Sequence, residues 1–561
     1  MRRPSLIPSS KNRPHVWRFR LPNGFHLLPL GMIFALLAAV PVDAAESLLF
    51  RYGLLSRSLQ ISSLEAFAED GVVNSDLAFY FRLAGADATE LAKFRESLQE
   101  AVDIDPVLFS RFFYTKIGEN ILTQLGQGLQ TRSGLNGKLS LRAALILAAL
   151  DPEGLSLLNF LRKLPTDMQF DIGKALDLER TVERVVEATE SSIEAMRILS
   201  AEEAATEPPV DFSTLPDISQ SGPLGVQQRR LVLTDASRQR QFYVDLYQPQ
   251  QWRAGKTPVI VHSHGLASNP ESRRRQSAHL ASYGYVVALP QHPGSDTLQV
   301  ENFQAGLSSQ IFLTNEFIDR PQDISYVIDE LERRNQSEFG GRLDLENVGV
   351  SGHSFGGYTA LAVAGAKIDF DHLETECNRQ FAYLNTSLLL QCEALTLSRR
   401  DYNFRDQRIQ AVAVDNPVNS SIYGPDGLSQ IQIPALMLAG SHDPATPAVF
   451  EQFRTFPWLT TPTKYLGLVE GQAHVDLSEL DAGVTQVIES VPGLTLASPE
   501  VVLTYFKAMG LAFFEVYISQ ALDYQPYLRA SYAAYLSQEE PFKLYLISAV
   551  SDQEVAQPLE E

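Results

Sequence analysis

The residues in this chain best suited to chemistry lie in Gly352-His353-Ser354-Phe355-Gly356. A β-branched stretch, Asn347 to Val350, comes just before them, and an Ala/Leu-rich helical pattern, Thr359 to Ala366, follows. A serine on a sharp strand-to-helix turn holds its hydroxyl clear of the backbone. Glycines two positions either side are needed there, because a Cβ would collide with the neighbouring strand and helix. Ser354 is therefore the candidate nucleophile, with Gly352 and Gly356 as the elbow glycines. A serine hydroxyl attacks poorly unless a base takes its proton. In doubly wound sheets that carry such an elbow, the order along the chain is serine, acid, histidine. Only His372, His442 and His474 follow Ser354. His474, in Gly471-Gln472-Ala473-His474, comes just after the last predicted parallel strand, where the base belongs. His372 falls in an insertion and His442 on the acid's own loop, so both read as surface or structural histidines.

Two aspartates compete for the third role. Asp443, in Gly440-Ser441-His442-Asp443-Pro444, follows the predicted strand Ala435 to Leu438, and Asp415 ends the strand before it. Asp443 is the first choice and Asp415 the alternative acid. Either residue also suits a turn or a helix cap. Acyl transfer further requires N–H donors aimed at the developing oxyanion. Phe355, the residue after the nucleophile, supplies one. His264-Gly265-Leu266 supplies the other, with Gly265 permitting close approach, Leu266 donating and His264 ordering the loop. This chemistry calls for no metal and no cofactor, and neither is expected.

The elements that must hold these residues are legible from periodicity. Beyond residue 222 the pattern alternates with period two (Gln228 to Leu233, Gln241 to Tyr247), as in a hairpin. Apolar strands and amphipathic helices then alternate from Pro258 to Leu468, which predicts a doubly wound, mostly parallel α/β sheet. The catalytic domain is expected over 223–525, with an insertion at 367–410 that reads as a lid or, alternatively, a surface decoration. Residues 526–561 are expected to form a C-terminal extension ending in a disordered acidic tail from Asp552. From 45 to 200 the periodicity is helical, at Ala88 to Val102, Asp105 to Leu129, Leu139 to Ala149 and Asp177 to Leu199. This stretch contains no His or Cys, so an all-α, non-catalytic domain is expected, joined by a Pro-rich linker at 201–222. Its apolar run Ala143 to Leu150 is too short to span a bilayer. It reads as core-facing or, more sharply, as a surface for peripheral membrane contact.

The net charge of −21 argues against a nucleic-acid partner. Residues 1–44 carry six basic side chains, the apolar stretch Leu27 to Val40 and small residues at Val42-Asp43-Ala44. They read as a signal peptide, or as a membrane anchor if uncleaved, and imply a periplasmic or secreted protein. Export permits a disulfide between Cys377 and Cys392, the chain's two cysteines; two buried thiols are the alternative. The Arg273-Arg274-Arg275 run suits an anionic head group or, more simply, a solvated helix face.

Three runs carry a family resemblance: Val261-His262-Ser263-His264-Gly265-Leu266, Ala281-Ser282-Tyr283-Gly284-Tyr285-Val286-Val287-Ala288, and Gly352 to Gly357. They resemble the platelet-activating-factor acetylhydrolase family of α/β-hydrolases. The helical region resembles the N-terminal domain found beside such hydrolases in cyanobacteria, a domain without an assigned activity. The resemblance implies the α/β-hydrolase fold over residues 223–525. It also implies a serine esterase acting on a small-molecule or lipid ester, such as the sn-2 acyl group of a phospholipid. In that family the acid follows the sixth strand, which matches Asp415. This sequence departs by also placing Asp443 in the Gly-x-x-Asp loop used by most α/β-hydrolases, as in bacterial cutinases. A cutinase-like or general carboxylesterase is thus the alternative, and a non-catalytic scaffold with a vestigial hydrolase fold is the alternative of another class. Oligomeric state is not legible.

Overall fold

The computed structural model describes residues 44–102, 104–474 and 495–555. Residues 1–43 of the leader expected over 1–44, and the end of the acidic tail, lie outside these. No helix among the described residues is long and apolar enough to cross a membrane.

Nine strands form the central sheet: β5 (Val226–Asp235), β6 (Arg240–Pro249), β7 (Thr257–Ser263), β8 (Val286–Pro290), β9 (Leu343–His353), β10 (Ile409–Asp415), β11 (Ala435–Gly440), β12 (Lys464–Val469) and β13 (Leu544–Ser548). Their order is β13-β12-β11-β10-β9-β7-β8-β6-β5. The six strands from β8 through β12 pair in parallel, while β5, β6 and β13 are antiparallel. Strands buried on both faces read as near-continuous apolar runs, and β7 (Thr-Pro-Val-Ile-Val-His-Ser), buried at every position, is apolar from Pro258 to Val261. Helices cover both faces. Phe355–Ala364 and Glu316–Phe339 pack on one side, Arg274–Ser282 and Pro499–Tyr517 on the other.

Three boundaries differ from expectation. The sheet continues beyond residue 525, because Leu544–Ser548 pairs with β12 from Val469↔Leu544 to Tyr465↔Ser548. The tail is anchored at its start, where Asp552 meets the buried Lys464 ammonium at 2.7 Å and Val555 is fully buried. The linker begins late: the helix Ile172–Thr206 runs through residue 200, and its last turns dock on β13. There Glu203 accepts from the Ser548 N–H at 3.0 Å, and Ser200 Oγ accepts from Leu546 N–H at 3.2 Å.

The N-terminal region is mainly helical but not all-α as expected, because it also holds a small four-stranded sheet. Its strands are β1 (Ser47–Tyr52), β2 (Leu55–Gln60), β3 (Leu129–Thr131) and β4 (Met168–Asp171), in the order β2-β1-β4-β3. The helix predicted over Asp105 to Leu129 is two helices, Pro106–Phe113 and Lys116–Gly128. Thr115 caps the second, accepting from Gly118 N–H at 3.1 Å, and a Cβ at Gly118 would run into the Phe112 carbonyl. Within Lys138–Leu150, Leu141, Ala144 and Ala148 face the core while Leu139, Leu147 and Leu150 are exposed. This region meets the sheet domain beyond the carboxyl ends of the strands: Arg111 donates to the Ser308 carbonyl at 2.7 Å and lies over the Phe303 ring.

Candidate active site

Ser354 stands between β9 and the helix Phe355–Ala364 with φ 56° and ψ −119°. A non-glycine residue with positive φ is strained, and the strain is tolerated only where surrounding structure imposes it. The elbow glycines show how it is imposed. A Cβ on Gly352 would collide with the Gly356 carbonyl, and one on Gly356 with the Ser263 carbonyl at the end of β7. The turn is thereby pressed against its own helix and the adjacent strand.

Ser354 Oγ lies 2.9 Å from His474 Nε2, and His474 Nδ1 lies 2.6 Å from Asp443 Oδ2. The three residues come from the ends of β9, β12 and β11. Asp443 also accepts from the N–H groups of Ala445 (2.8 Å) and Thr446 (2.9 Å) and from the Thr446 hydroxyl (2.8 Å). Its carboxylate is thus satisfied and fixed in direction, with one oxygen on the imidazole. This arrangement holds the ring so that Nε2 faces the serine hydroxyl as an acceptor.

Asp415 is elsewhere engaged. Its carboxylate meets Arg273 Nη2 at 2.5 Å, and its backbone carbonyl accepts from Ser354 N–H at 3.1 Å. Burial pushes the Asp415 carboxyl above the ordinary value, against the pull of Arg273. Arg275 pairs with Glu500 at 2.5 Å. The arginine run is thus spent partly on internal pairs.

Phe355 opens its helix, so its N–H has no partner within that helix. Gly265 lies beside Ser354: a Cβ there would come within 3.5 Å of Ser354 Cβ. Leu266 follows, in a loop bent by Ala267 at φ 59° and tied to the β8 loop by Ala267 N–H donating to the Ser295 carbonyl at 2.8 Å. The N–H groups of Phe355 and Leu266 therefore belong to the two segments that flank Ser354. His264 does order its loop, with Nδ1 2.8 Å from the Gly265 carbonyl and Nε2 accepting from His292 N–H at 3.2 Å. His442 meets Ser441 Oγ, and His372 packs edge-on against Trp458, so neither touches the serine.

Two contributors were not read from sequence. His353 donates from Nε2 to the His474 carbonyl at 2.9 Å, its ring 4.7 Å from the His474 ring. Burial holds His353 well below the usual imidazole value, so it stays neutral. Thr446 is the other. Only its closeness to Asp443 in sequence hinted at a part.

The insertion 367–410 is fixed firmly. Cys377 and Cys392 are bridged. Glu451, fully buried, accepts from Asn385, Ser387 and Gln391 of the insertion and from the N–H groups of Asn419 and Ser420. Thr386 Oγ1 donates to the Pro444 carbonyl, next to Asp443. The insertion thus leans on the loop that carries Asp443.

Among the described residues no cluster of His, Cys, Asp or Glu could hold a metal ion. In comparison with known proteins, a family model described as an alpha/beta hydrolase of unknown function (DUF1400) matches residues 44–171, the N-terminal region up to the end of β4. No curated protein matches the chain.

Proposed function

We propose that this protein, an α/β-hydrolase by fold, is a serine esterase that cleaves carboxylic esters through an acyl-enzyme. The observation that carries the reading is the unbroken hydrogen-bonded series from Asp443 through His474 to a strained Ser354. In the first half-reaction Ser354 Oγ bonds to the ester carbonyl carbon while its proton passes to His474 Nε2. The carbonyl oxygen, now negative, takes hydrogen bonds from the N–H groups of Phe355 and Leu266. The carbon–oxygen bond to the alcohol breaks, and the alkoxide leaves with the proton from His474. In the second half a water gives a proton to His474 and its oxygen attacks the acyl carbon. The tetrahedral intermediate collapses to free acid, and Ser354 recovers its proton. Asp443 keeps the imidazole in the productive tautomer and stabilises its cationic form.

The substrate proposed is a short- or medium-chain ester, with the sn-2 acyl group of a phospholipid as the finer reading. The pairing of His474 with Asp443 and of Asp415 with Arg273 favours a second reading, a general or cutinase-like carboxylesterase. Exposed Leu139, Leu147 and Leu150 on the N-terminal region support peripheral lipid contact, and the basic-then-apolar leader supports export. Hydrolysis of p-nitrophenyl esters and labelling by a fluorophosphonate should both vanish in Ser354→Ala; labelling that persists sinks the proposal. An acetylated phospholipid, a long-chain triglyceride and a soluble polyester, offered side by side, separate the substrate readings.

A further inference from the structure

Arg320 is fully buried on the helix Glu316–Phe339, and no step of the proposed reaction uses it. Burying a guanidinium is costly unless its surroundings compensate. Its nearest carboxylate oxygen, on Glu316, is 3.9 Å from Nε, and Glu316 is itself held by Arg240 at 2.9 Å. Asp323, the other buried acid nearby, is taken by Arg240 and Arg238 and by His292. The hydrogen bonds of Arg320 go to neutral partners. Nη1 donates to the His264 carbonyl at 2.7 Å, Nη2 to the Gly265 carbonyl at 3.2 Å, and Nε to Ser295 Oγ at 2.8 Å. The guanidinium also lies over the Phe355 ring, 4.4 Å from its centroid.

We infer that Arg320 is the positioning residue of the oxyanion site, setting the direction and strength of the Leu266 N–H donor and fixing Phe355 beside it. The Gly265–Leu266 peptide is trans, so its carbonyl and its N–H point in opposite directions. A cation that grips the carbonyl therefore also fixes the direction in which the N–H points. It also draws electron density from the peptide and makes the N–H a better donor. Burial lowers Arg320 to about 10, so the guanidinium stays charged at neutral pH. Ser295 completes the brace: its hydroxyl accepts from Arg320 and donates to Glu316 at 2.9 Å, and its carbonyl holds Ala267 of the same loop. One buried cation thus touches both donor segments, the loop after β7 through two carbonyls and the elbow through the ring of Phe355. A guanidinium needed only for packing would not have to meet two successive carbonyls of that loop.

This inference rests on the esterase reading, and its test separates the two. Arg320→Lys keeps the charge and loses the two-carbonyl grip, while Arg320→Met removes both. Each full-length variant is compared with wild type for p-nitrophenyl butyrate hydrolysis, with active enzyme counted by fluorophosphonate titration. Binding of butaneboronic acid, which forms a tetrahedral anionic adduct on a serine, is measured alongside melting temperature. Arg320→Lys is expected to lose about 10- to 100-fold in kcat with KM changed by less than about threefold, and to weaken boronate binding by a similar factor. A structural role alone would lower the melting temperature or the titratable fraction and leave kcat per titrated site and boronate affinity unchanged. That result overturns the assignment, and Arg320→Lys gives it even if Arg320→Met does not fold. A wild type with no Ser354-dependent turnover or boronate binding overturns the esterase reading itself, and the inference with it.

Discussion

The adjacent parallel strands β10 and β11 each carry an aspartate at or just past the carboxyl end, and the two aspartates have opposite fates. Asp415 is the last residue of its strand and sits level with Leu438 of β11. At that depth it meets Arg273 and the backbone beneath the elbow. Asp443 lies three residues past the end of β11, on a turn where Ala445 and Thr446 donate to one oxygen and leave the other aimed at His474. The residue type and the strand-end context are the same; the depth and the available cation differ. An aspartate buried beside an arginine is an ion pair, and one lifted onto a turn is free to orient an imidazole.

The comparison breaks most easily at Asp443. Asp443→Asn should lower kcat/KM by up to about 10⁴-fold, because the wrong tautomer then faces the serine. His353→Phe comes next. It removes the donor to the His474 carbonyl while keeping a ring of similar size, and a loss of about 10- to 100-fold in kcat is expected from the loosened base. Asp415→Asn should keep kcat within about tenfold of wild type yet cost roughly 3–5 kcal/mol in denaturant unfolding, since Arg273 loses its counter-charge. Cys377→Ser with Cys392→Ser should cost about 3 kcal/mol in the chain-entropy model, with a smaller effect on activity.

The smallest effect is one of pH. Glu393 of the insertion is buried, and burial pushes it up to about 7, only partly relieved by Lys116 of the N-terminal region. A carboxyl raised in the folded state contributes stability that is complete below its unfolded value, about 4.3, and is lost as pH rises through 7. Glu393→Gln should therefore raise the melting temperature more at pH 8 than at pH 5. An equal change at both pH values removes Glu393 from the account.

Ser354 and His474 were legible because the elbow pattern and the chain order each constrain one position strongly. The parallel core was legible because buried strands such as Pro258 to His262 are apolar over almost their whole length. The choice of acid was open, because the deciding partner of Asp415 is Arg273, 142 residues earlier. Arg320 was hidden for a similar reason, since in sequence it is one charge in an amphipathic helix. The small sheet near the N-terminus went unread because β3 and β4 have three and four residues, too few to show alternation, and β1 finds β4 about 120 residues away. β13 lies past a segment that read as an extension, and only its pairing with β12 makes it part of the sheet.

The most direct measurement is the rate and location of fluorophosphonate labelling, mapped by peptide mass spectrometry, in wild type, Asp443→Asn and Asp415→Asn. The account predicts label on Ser354 at similar rates in wild type and Asp415→Asn, slowed by about 10³- to 10⁴-fold in Asp443→Asn. Label on another residue, or a slow Asp415→Asn beside a fast Asp443→Asn, would contradict it.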